Sequence, residues 1–246
     1  MGAARILEIT SIDEIAATEK GTIGVGRSLE PADVIRLTTE KNFHHVVQKD
    51  GLSFDTEMAV ARTMTANLSA FLDHPLQTIL GLSEVDAGHL PTMSIKASVD
   101  ERKSNTIDQF DAYLKALSGV RPIRDEAMMI ADELYTNGAK IGFDPSRLSK
   151  GAVLVRPGIV EFFARSDGMR LVLGVRDSYG LLKFEQVLSR IAKCFEEGMA
   201  GSIKQGEGGA GIGSFMVFNA CISYYAGVER GKRSVVCVSL PVGIGR

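Results

Sequence analysis

Hydrophobic and polar residues alternate with different periods along the chain, and each period predicts a type of secondary structure. Apolar side chains at helical spacing predict helices over 55–72, 100–117, 122–143, 184–197 and 214–224. Runs typical of strands lie at 93–99, 152–156, 158–165, 169–176, 225–229 and 234–242. The turn residues Ser166-Asp167-Gly168 between two of these runs predict a β-hairpin. The first fifty residues mix short apolar runs with glycines and predict no definite element.

The order of these elements predicts an α+β fold. From residue 92 onwards it is strand, helix, helix, hairpin, helix, glycine-rich loop, helix and two strands. This order is typical of a two-layer sandwich, in which helices cover one face of a mixed, mostly antiparallel sheet. A turn-rich segment at 88–91 marks the boundary. We therefore predict a domain over 92–246 and an N-terminal extension, or small partner-docking domain, over 1–91.

Charge is distributed unevenly between these two parts. Residues 1–91 carry 7 Lys+Arg against 13 Asp+Glu, whereas residues 92–246 carry 21 against 17. The net charge of the chain is only −2, which argues against nucleic-acid binding through bulk charge. No apolar run approaches the roughly 18 residues of a membrane span, and the N-terminus lacks the apolar core of a secretion signal. We therefore expect a cytoplasmic protein without a membrane partner.

Cysteines and histidines give little indication of a metal site. Cys194, Cys221 and Cys237 are far apart and lack the paired spacing of a zinc site or a disulfide framework. We expect them to be buried as small hydrophobic residues. The adjacent His44 and His45 have no cysteine or carboxylate pattern nearby and are a weak metal candidate.

The predicted helix over 122–143 carries three polar residues on one side. Glu133, Asn137 and Lys140 follow each other at i, i+4 and i+7, apart from the apolar stripe. A carboxylate can orient or deprotonate a water or hydroxyl, an amide oxygen suits Mg²⁺, and an ammonium can meet a phosphate. The alternative is a solvated helix face with an ordinary Glu–Lys pair.

Two further segments contain residue types that can contact a nucleotide. Asp177 ends a strongly apolar run and precedes a turn with Gly180, and such a carboxylate can accept a hydrogen bond from an exocyclic amine. A second segment lets backbone N–H groups approach a ligand at the start of a helix, because it contains Gly206, Gly208, Gly209, Gly211 and Gly213. The alternatives are an ordinary turn and a purely mobile linker.

Taken together, these segments resemble the sequence boxes of the histidine-kinase-like ATPase superfamily, which has the Bergerat (GHKL) ATP-binding fold. Residues 132–140 are similar to its N box, 175–180 to its first glycine box, 206–213 to its second, and 231–234 to its last. The resemblance covers residues 92–246. The small size of this domain makes it most similar to anti-sigma-factor serine kinases and histidine kinase catalytic domains.

The resemblance implies that the protein binds ATP and Mg²⁺. Glu133 would position an attacking water or activate a hydroxyl, Asn137 would bind Mg²⁺, and Lys140 would lie near the phosphates. Asp177, with Gly180 in the turn after it, would hold the adenine amine.

On the same resemblance, Ser234 would lie behind the base and the glycines of 206–213 would wrap the triphosphate. The function implied is a serine/threonine protein kinase or an ATP-dependent switch of the anti-sigma-factor type. Its protein partner would be a regulatory target, such as a sigma factor or an anti-anti-sigma-like protein.

The sequence departs from the superfamily at two positions, where Tyr179 and Arg233 replace common glycines. A bulky ring at 179 would narrow the adenine pocket, which keeps open a non-catalytic interaction module on a degenerate ATPase fold. A histidine kinase catalytic fragment is a further alternative, with His74 as its phosphoacceptor candidate, although Pro75 directly follows it. Homodimerisation is common among the resembled proteins, and the sequence leaves it open.

Overall fold

A computed structural model of the protein describes residues 4–19, 21–51, 53–82, 91–98, 103–143, 159–203 and 212–242, with only the backbone for 140–143 and 199–203. By the proximity of Cα atoms the chain divides into two discontinuous units. Unit 1 is Met1–Asp73 with Lys183–Asn219, and unit 2 is His74–Leu182 with Ala220–Arg246. This division differs from the predicted boundary near residue 91, and the domains over 1–91 and 92–246 stay a prediction.

The described elements are mixed helix and strand. The strands, in chain order, are β1 (Arg5–Ile9), β2 (Thr22–Gly26), β3 (His45–Gln48), β4 (Thr92–Ser98), β5 (Ile159–Ser166), β6 (Arg170–Asp177), β7 (Ser223–Glu229) and β8 (Arg233–Pro241). The helices are α1 (Pro31–Thr39), α2 (Phe54–Ala66), α3 (Leu68–Asp73), α4 (Pro75–Leu80), α5 (Lys103–Ala116), α6 (Arg124–Phe143), α7 (Phe184–Ile203) and α8 (Ile212–Ala220). Among the described residues, no helix combines the length and apolarity that crossing a membrane requires.

Unit 1 contains a sheet that the sequence did not predict. Its strands are parallel, in the order β1-β2-β3, and α1 connects β2 to β3. The central strand β2 is buried along its whole length, as expected for a parallel strand with both faces covered. Ile23 and Val25 of β2 pack with Met58 of α2, whereas Ile9 of β1 packs with Leu37 of α1.

Unit 2 contains a five-stranded antiparallel sheet in the order β4-β5-β6-β8-β7. The predicted hairpin is confirmed, because β5 and β6 pair directly around Asp167 and Gly168. One face carries α5 and α6, and there the Phe110 and Phe162 rings meet edge to face at 5.1 Å. The mixed α/β character with a mostly antiparallel sheet is therefore confirmed.

The opposite face of this sheet is buried too, so the predicted one-sided arrangement of helices is incomplete. Phe163, Val172 and Cys237 alternate away from α6 and are at most 3% exposed. From that side of β6, the Arg170 guanidinium donates to the Ile79 carbonyl of α4 over 3.3 Å.

Several predicted boundaries shift in the structure. The helix predicted over 55–72 is divided into α2 and α3 at Asn67, whose backbone is not helical (φ −151°, ψ 81°) and whose amide oxygen accepts a hydrogen bond from the N–H of Ala70. The helix predicted over 214–224 stops at Ala220, because β7 begins at Ser223. The strand predicted at 152–156 lies outside the described residues.

Candidate functional site

Two of the predicted site residues form a pair on α6. The helix buries its apolar stripe, which includes Ile130 and Leu134, and leaves Glu133 and Asn137 partly exposed. Nδ2 of Asn137 donates to Oε1 of Glu133 over 2.7 Å, as the i, i+4 spacing predicts. This bond uses neither Oδ1 of Asn137 nor Oε2 of Glu133. Both atoms are hard oxygen donors of the kind that Mg²⁺ and ordered water prefer.

Close packing of α6 on the sheet fixes the position of this pair. A Cβ atom on Gly138 would lie 3.4 Å from Cγ2 of Val175 and 3.5 Å from Cγ1 of Val160. The helix backbone therefore lies directly over β5 and β6, and the residue before Gly138 is Asn137.

Asp177 occupies the end of β6 and is only 5% exposed. Its Oδ1 accepts hydrogen bonds from the backbone N–H groups of Tyr179 (2.8 Å) and Gly180 (2.9 Å). Burial raises the pKa of Asp177, and the hydrogen bonds from Tyr179, Gly180 and Ser234 oppose that rise. Ser234 is 1% exposed and is the register partner of Asp177 on β8.

The turn after Asp177 is packed against the β7–β8 hairpin. Gly180 has φ +63°, and a Cβ atom there would lie 2.2 Å from the carbonyl oxygen of Glu229 and 2.7 Å from the nitrogen of Lys232. The N–H of Gly231 donates to the carbonyl of Gly180 over 3.3 Å. Only glycine fits this position, because a side chain would meet both backbone strain and backbone atoms.

Strand alternation places both groups of site residues on the same side of the sheet. Val175 faces α6, and Asp177, two residues further along β6, therefore lies on that side too. Its register partner Ser234 shares the same face. The structure thus places Glu133, Asn137, Asp177 and Ser234 on the α6 side of one sheet within unit 2.

An apolar strip beside Asp177 and Ser234 was missed by the sequence analysis. Tyr224, Ala226 and Val228 of β7 and Val236 of β8 occupy the α6 side and are partly exposed. Burial raises the pKa of Tyr224, and Cys221 and Glu133 raise it further. The alternation in 223–229 would have placed these three β7 side chains on one face, but no local signal says which face carries α6.

The remaining predicted site residues are only partly described. Lys140 lies in α6, but its side chain is not among the described atoms. Gly206, Gly208, Gly209 and Gly211 lie wholly outside the described residues. Gly213 is in the first turn of α8, which belongs to unit 1. Within the described ranges, no group of three or more His, Cys, Asp or Glu residues could hold a metal ion.

The cysteines and histidines singled out in the sequence lie in ordinary structural positions. Cys194 and Cys237 are buried, as predicted, and Cys221 is partly buried. His74 is exposed and directly precedes α4, where its carbonyl accepts hydrogen bonds from Thr78. His45 on β3 is partly buried, and burial together with the neighbouring His44 lowers its pKa to about 4.

No protein-family model matches the sequence, and no curated protein matches it at a significant level.

Proposed function

We propose that unit 2 binds ATP on the α6 side of its antiparallel sheet, in a fold of the Bergerat type. The observation that carries the proposal is the placement of two polar groups on one face. The hydrogen-bonded Glu133–Asn137 pair lies on α6, and the buried Asp177 and Ser234 lie side by side on β6 and β8. Buried polar residues cost free energy unless they are hydrogen-bonded, so they need a structural or functional reason to be there.

The chemistry of each residue fits a nucleotide. The Asp177 carboxylate accepts backbone hydrogen bonds from Tyr179 and Gly180 on one oxygen and is also hydrogen-bonded by Ser234. In the proposed site the adenine amine would share this carboxylate with Ser234. The apolar strip of Tyr224, Ala226, Val228 and Val236 offers a surface for the base.

On α6, the amide oxygen of Asn137 fits as a ligand for Mg²⁺, which would supply charge stabilisation to the phosphates. The second carboxylate oxygen of Glu133, Oε2, can orient a water or a hydroxyl for attack on a phosphate. The proposal for unit 2 does not rest on the other phosphate contacts that the resemblance implies: Gly206, Gly208, Gly209 and Gly211 and the side chain of Lys140 lie outside the described residues, and Gly213 belongs to unit 1.

The protein in this proposal is a cytoplasmic regulator. It uses ATP to phosphorylate a protein partner on serine or threonine, or to change its affinity for that partner. A sigma factor or an anti-anti-sigma-like protein is the partner class that the resemblance implies, and we propose no nucleic-acid or membrane partner.

Calorimetry with Mg·ATP and a turnover assay test the proposal. We expect saturable heat of binding for the wild type. Glu133→Ala should abolish turnover and leave binding largely intact, because Glu133 acts on the attacking group. Asp125→Ala is the matched control, since Asp125 is a fully exposed acid in the first turn of the same helix. Unchanged turnover in Glu133→Ala would remove Glu133 from the mechanism.

A non-catalytic interaction module is the second candidate function. It is favoured by the structural use of Asp177, which already caps the turn at Tyr179 and Gly180. Tyr179, which stands where the superfamily has glycine, is itself 8% exposed. This candidate predicts no heat with ATP or ADP. The third reading, a histidine kinase fragment, predicts acid-labile phosphate on His74 after incubation with ATP.

A further inference from the structure

The first residue of α5 makes two contacts on the turn of α6 that carries the proposed site. Nζ of Lys103 lies 2.5 Å from Oδ1 of Asp132 and 2.6 Å from Oγ1 of Thr136. Asp132 and Thr136 are one helical turn apart, and each directly precedes a residue of the Glu133–Asn137 pair. One ammonium group therefore bridges the same turn that the site pair bridges.

We propose that Lys103 is a positioning residue that holds α6 at the rotation required by Glu133 and Asn137. Successive residues of an α-helix are about 100° apart around its axis. Two contacts at Asp132 and Thr136 therefore restrain the direction of the next side chains. The restraint acts together with Gly138, which packs against Val160 and Val175 on the sheet. This inference rests on the proposed function for its effect on turnover, but the positioning itself does not require a ligand.

The exposure of the Lys103 and Asp132 side chains distinguishes a positioning role for Lys103 from a role in stability. The side chains of Lys103 and Asp132 are 37% and 56% exposed, and ion pairs at such sites contribute little to stability. Misplacement of a catalytic group by about 1 Å can nevertheless reduce turnover by up to about a hundredfold. Loss of the Lys103 contacts should therefore affect turnover much more than folding.

Kinetics of three variants test the inference. Lys103→Met should lower kcat about tenfold and also raise the KM for Mg·ATP, because Asn137 is the proposed Mg²⁺ ligand, with little change in the thermal midpoint. Lys103→Arg should restore most of the activity, because it keeps the charge and the reach. Lys115→Met is the matched control on the same helix, since Lys115 pairs with Asp111 at 2.6 Å and is 63% exposed. Wild-type kcat in Lys103→Met, or an equal loss in Lys115→Met, would overturn the inference.

A measurement without nucleotide separates failure of this inference from failure of the proposed function. The side-chain amide resonances of Asn137, which donates to Glu133, should shift in Lys103→Met and in Thr136→Val, but not in Lys115→Met. Thr136→Val removes only the hydroxyl contact and serves if Lys103→Met does not fold. Unshifted resonances would contradict the positioning role. Shifted resonances in a protein that binds no ATP would support the role and reject the proposed function.

Discussion

Among the described residues, the two sheets differ in one respect: the antiparallel sheet contains a buried carboxylate, although it too carries exposed ion pairs such as Lys232 with Glu229. Around the parallel sheet of unit 1, charged residues form exposed pairs, such as Lys49 with Glu8 at 3.3 Å and Arg36 with Asp13 at 3.0 Å. In unit 2, by contrast, Asp177 is buried at the end of a central strand. Exposed pairs contribute little to stability, whereas a buried carboxylate costs free energy unless hydrogen bonds satisfy it. Hydrogen bonds from Tyr179, Gly180 and Ser234 satisfy Asp177, so the stability of unit 2 should depend on this carboxylate, whereas that of unit 1 should not depend on its exposed pairs.

The largest expected effect is at the turn that supports Asp177. Gly180→Ala should destabilise unit 2 by about 3 kcal/mol or more, because left-handed strain adds to a collision with backbone atoms. Gly168→Ala is the control, since Gly168 also has positive φ (+87°) but no atom within 4 Å of the added Cβ. Gly168→Ala should lower the free energy of unfolding by only about 1 kcal/mol. Urea denaturation measures both, and equal losses would mean that the hairpin does not restrain the turn.

Removal of the buried carboxylate should show the contrast between the units directly. Asp177→Ala leaves the N–H groups of Tyr179 and Gly180 without their acceptor, which costs about 1–3 kcal/mol. In unit 1, Asp13→Ala removes an 84% exposed partner of Arg36 and should barely change the urea midpoint. Asp177→Asn keeps an acceptor oxygen and should lose less than Asp177→Ala. Similar losses in Asp13→Ala and Asp177→Ala would contradict the comparison.

The smallest expected effect is a difference in pH response. Burial, with a smaller contribution from His44, lowers the pKa of His45 in unit 1 to about 4. The unfolded chain then binds the proton more tightly, so stability is lost as the pH falls from about 6.5 to about 4, by about 1–3 kcal/mol. Burial raises the pKa of Asp177 in unit 2, so its contribution has the opposite sign and is lost as the pH rises through that pKa.

Denaturation midpoints between pH 7 and pH 4 test this difference. In His45→Gln the loss of stability between pH 7 and pH 4 should be smaller. In His44→Gln, at an exposed position, most of that loss should remain. Histidine resonances followed by NMR would give the pKa of His45 itself. A His45 that titrates near 6.5 in the folded protein would remove the predicted response.

The sequence predicted the antiparallel region much better than the parallel one. Alternation and the Asp167-Gly168 turn located β5 and β6 to within a residue or so, because a hairpin depends on residues close in sequence. The short strands β1, β2 and β3 were not predicted. The central strand β2 is buried throughout and so shows no alternation, and β1 and β3 have only five and four residues and pair with a distant segment. Asn67 was likewise read as part of a helix, although its side chain caps the next one.

The candidate site residues show the same difference between contacts close in sequence and contacts between distant segments. The Glu133–Asn137 pair was predictable because i, i+4 neighbours on a helix always share a face. The register pairing of Asp177 with Ser234 and the contacts of Lys103 with Asp132 and Thr136 join distant segments. No spacing in the chain encodes them, and the resemblance supplied only the expectation that the first two belong to one site.

By itself, the sequence determined most of the described helices and strands of unit 2, though not α4, because the geometry of the backbone turns local spacing into a buried face. Only the tertiary structure decided that Asp177 is buried opposite Ser234, that Gly180 packs on the β7–β8 hairpin, and that a separate parallel sheet exists. Those outcomes depend on contacts between segments far apart in the chain. The stabilising free energy of such contacts exists only when two surfaces pack together, so it cannot be inferred from either segment alone.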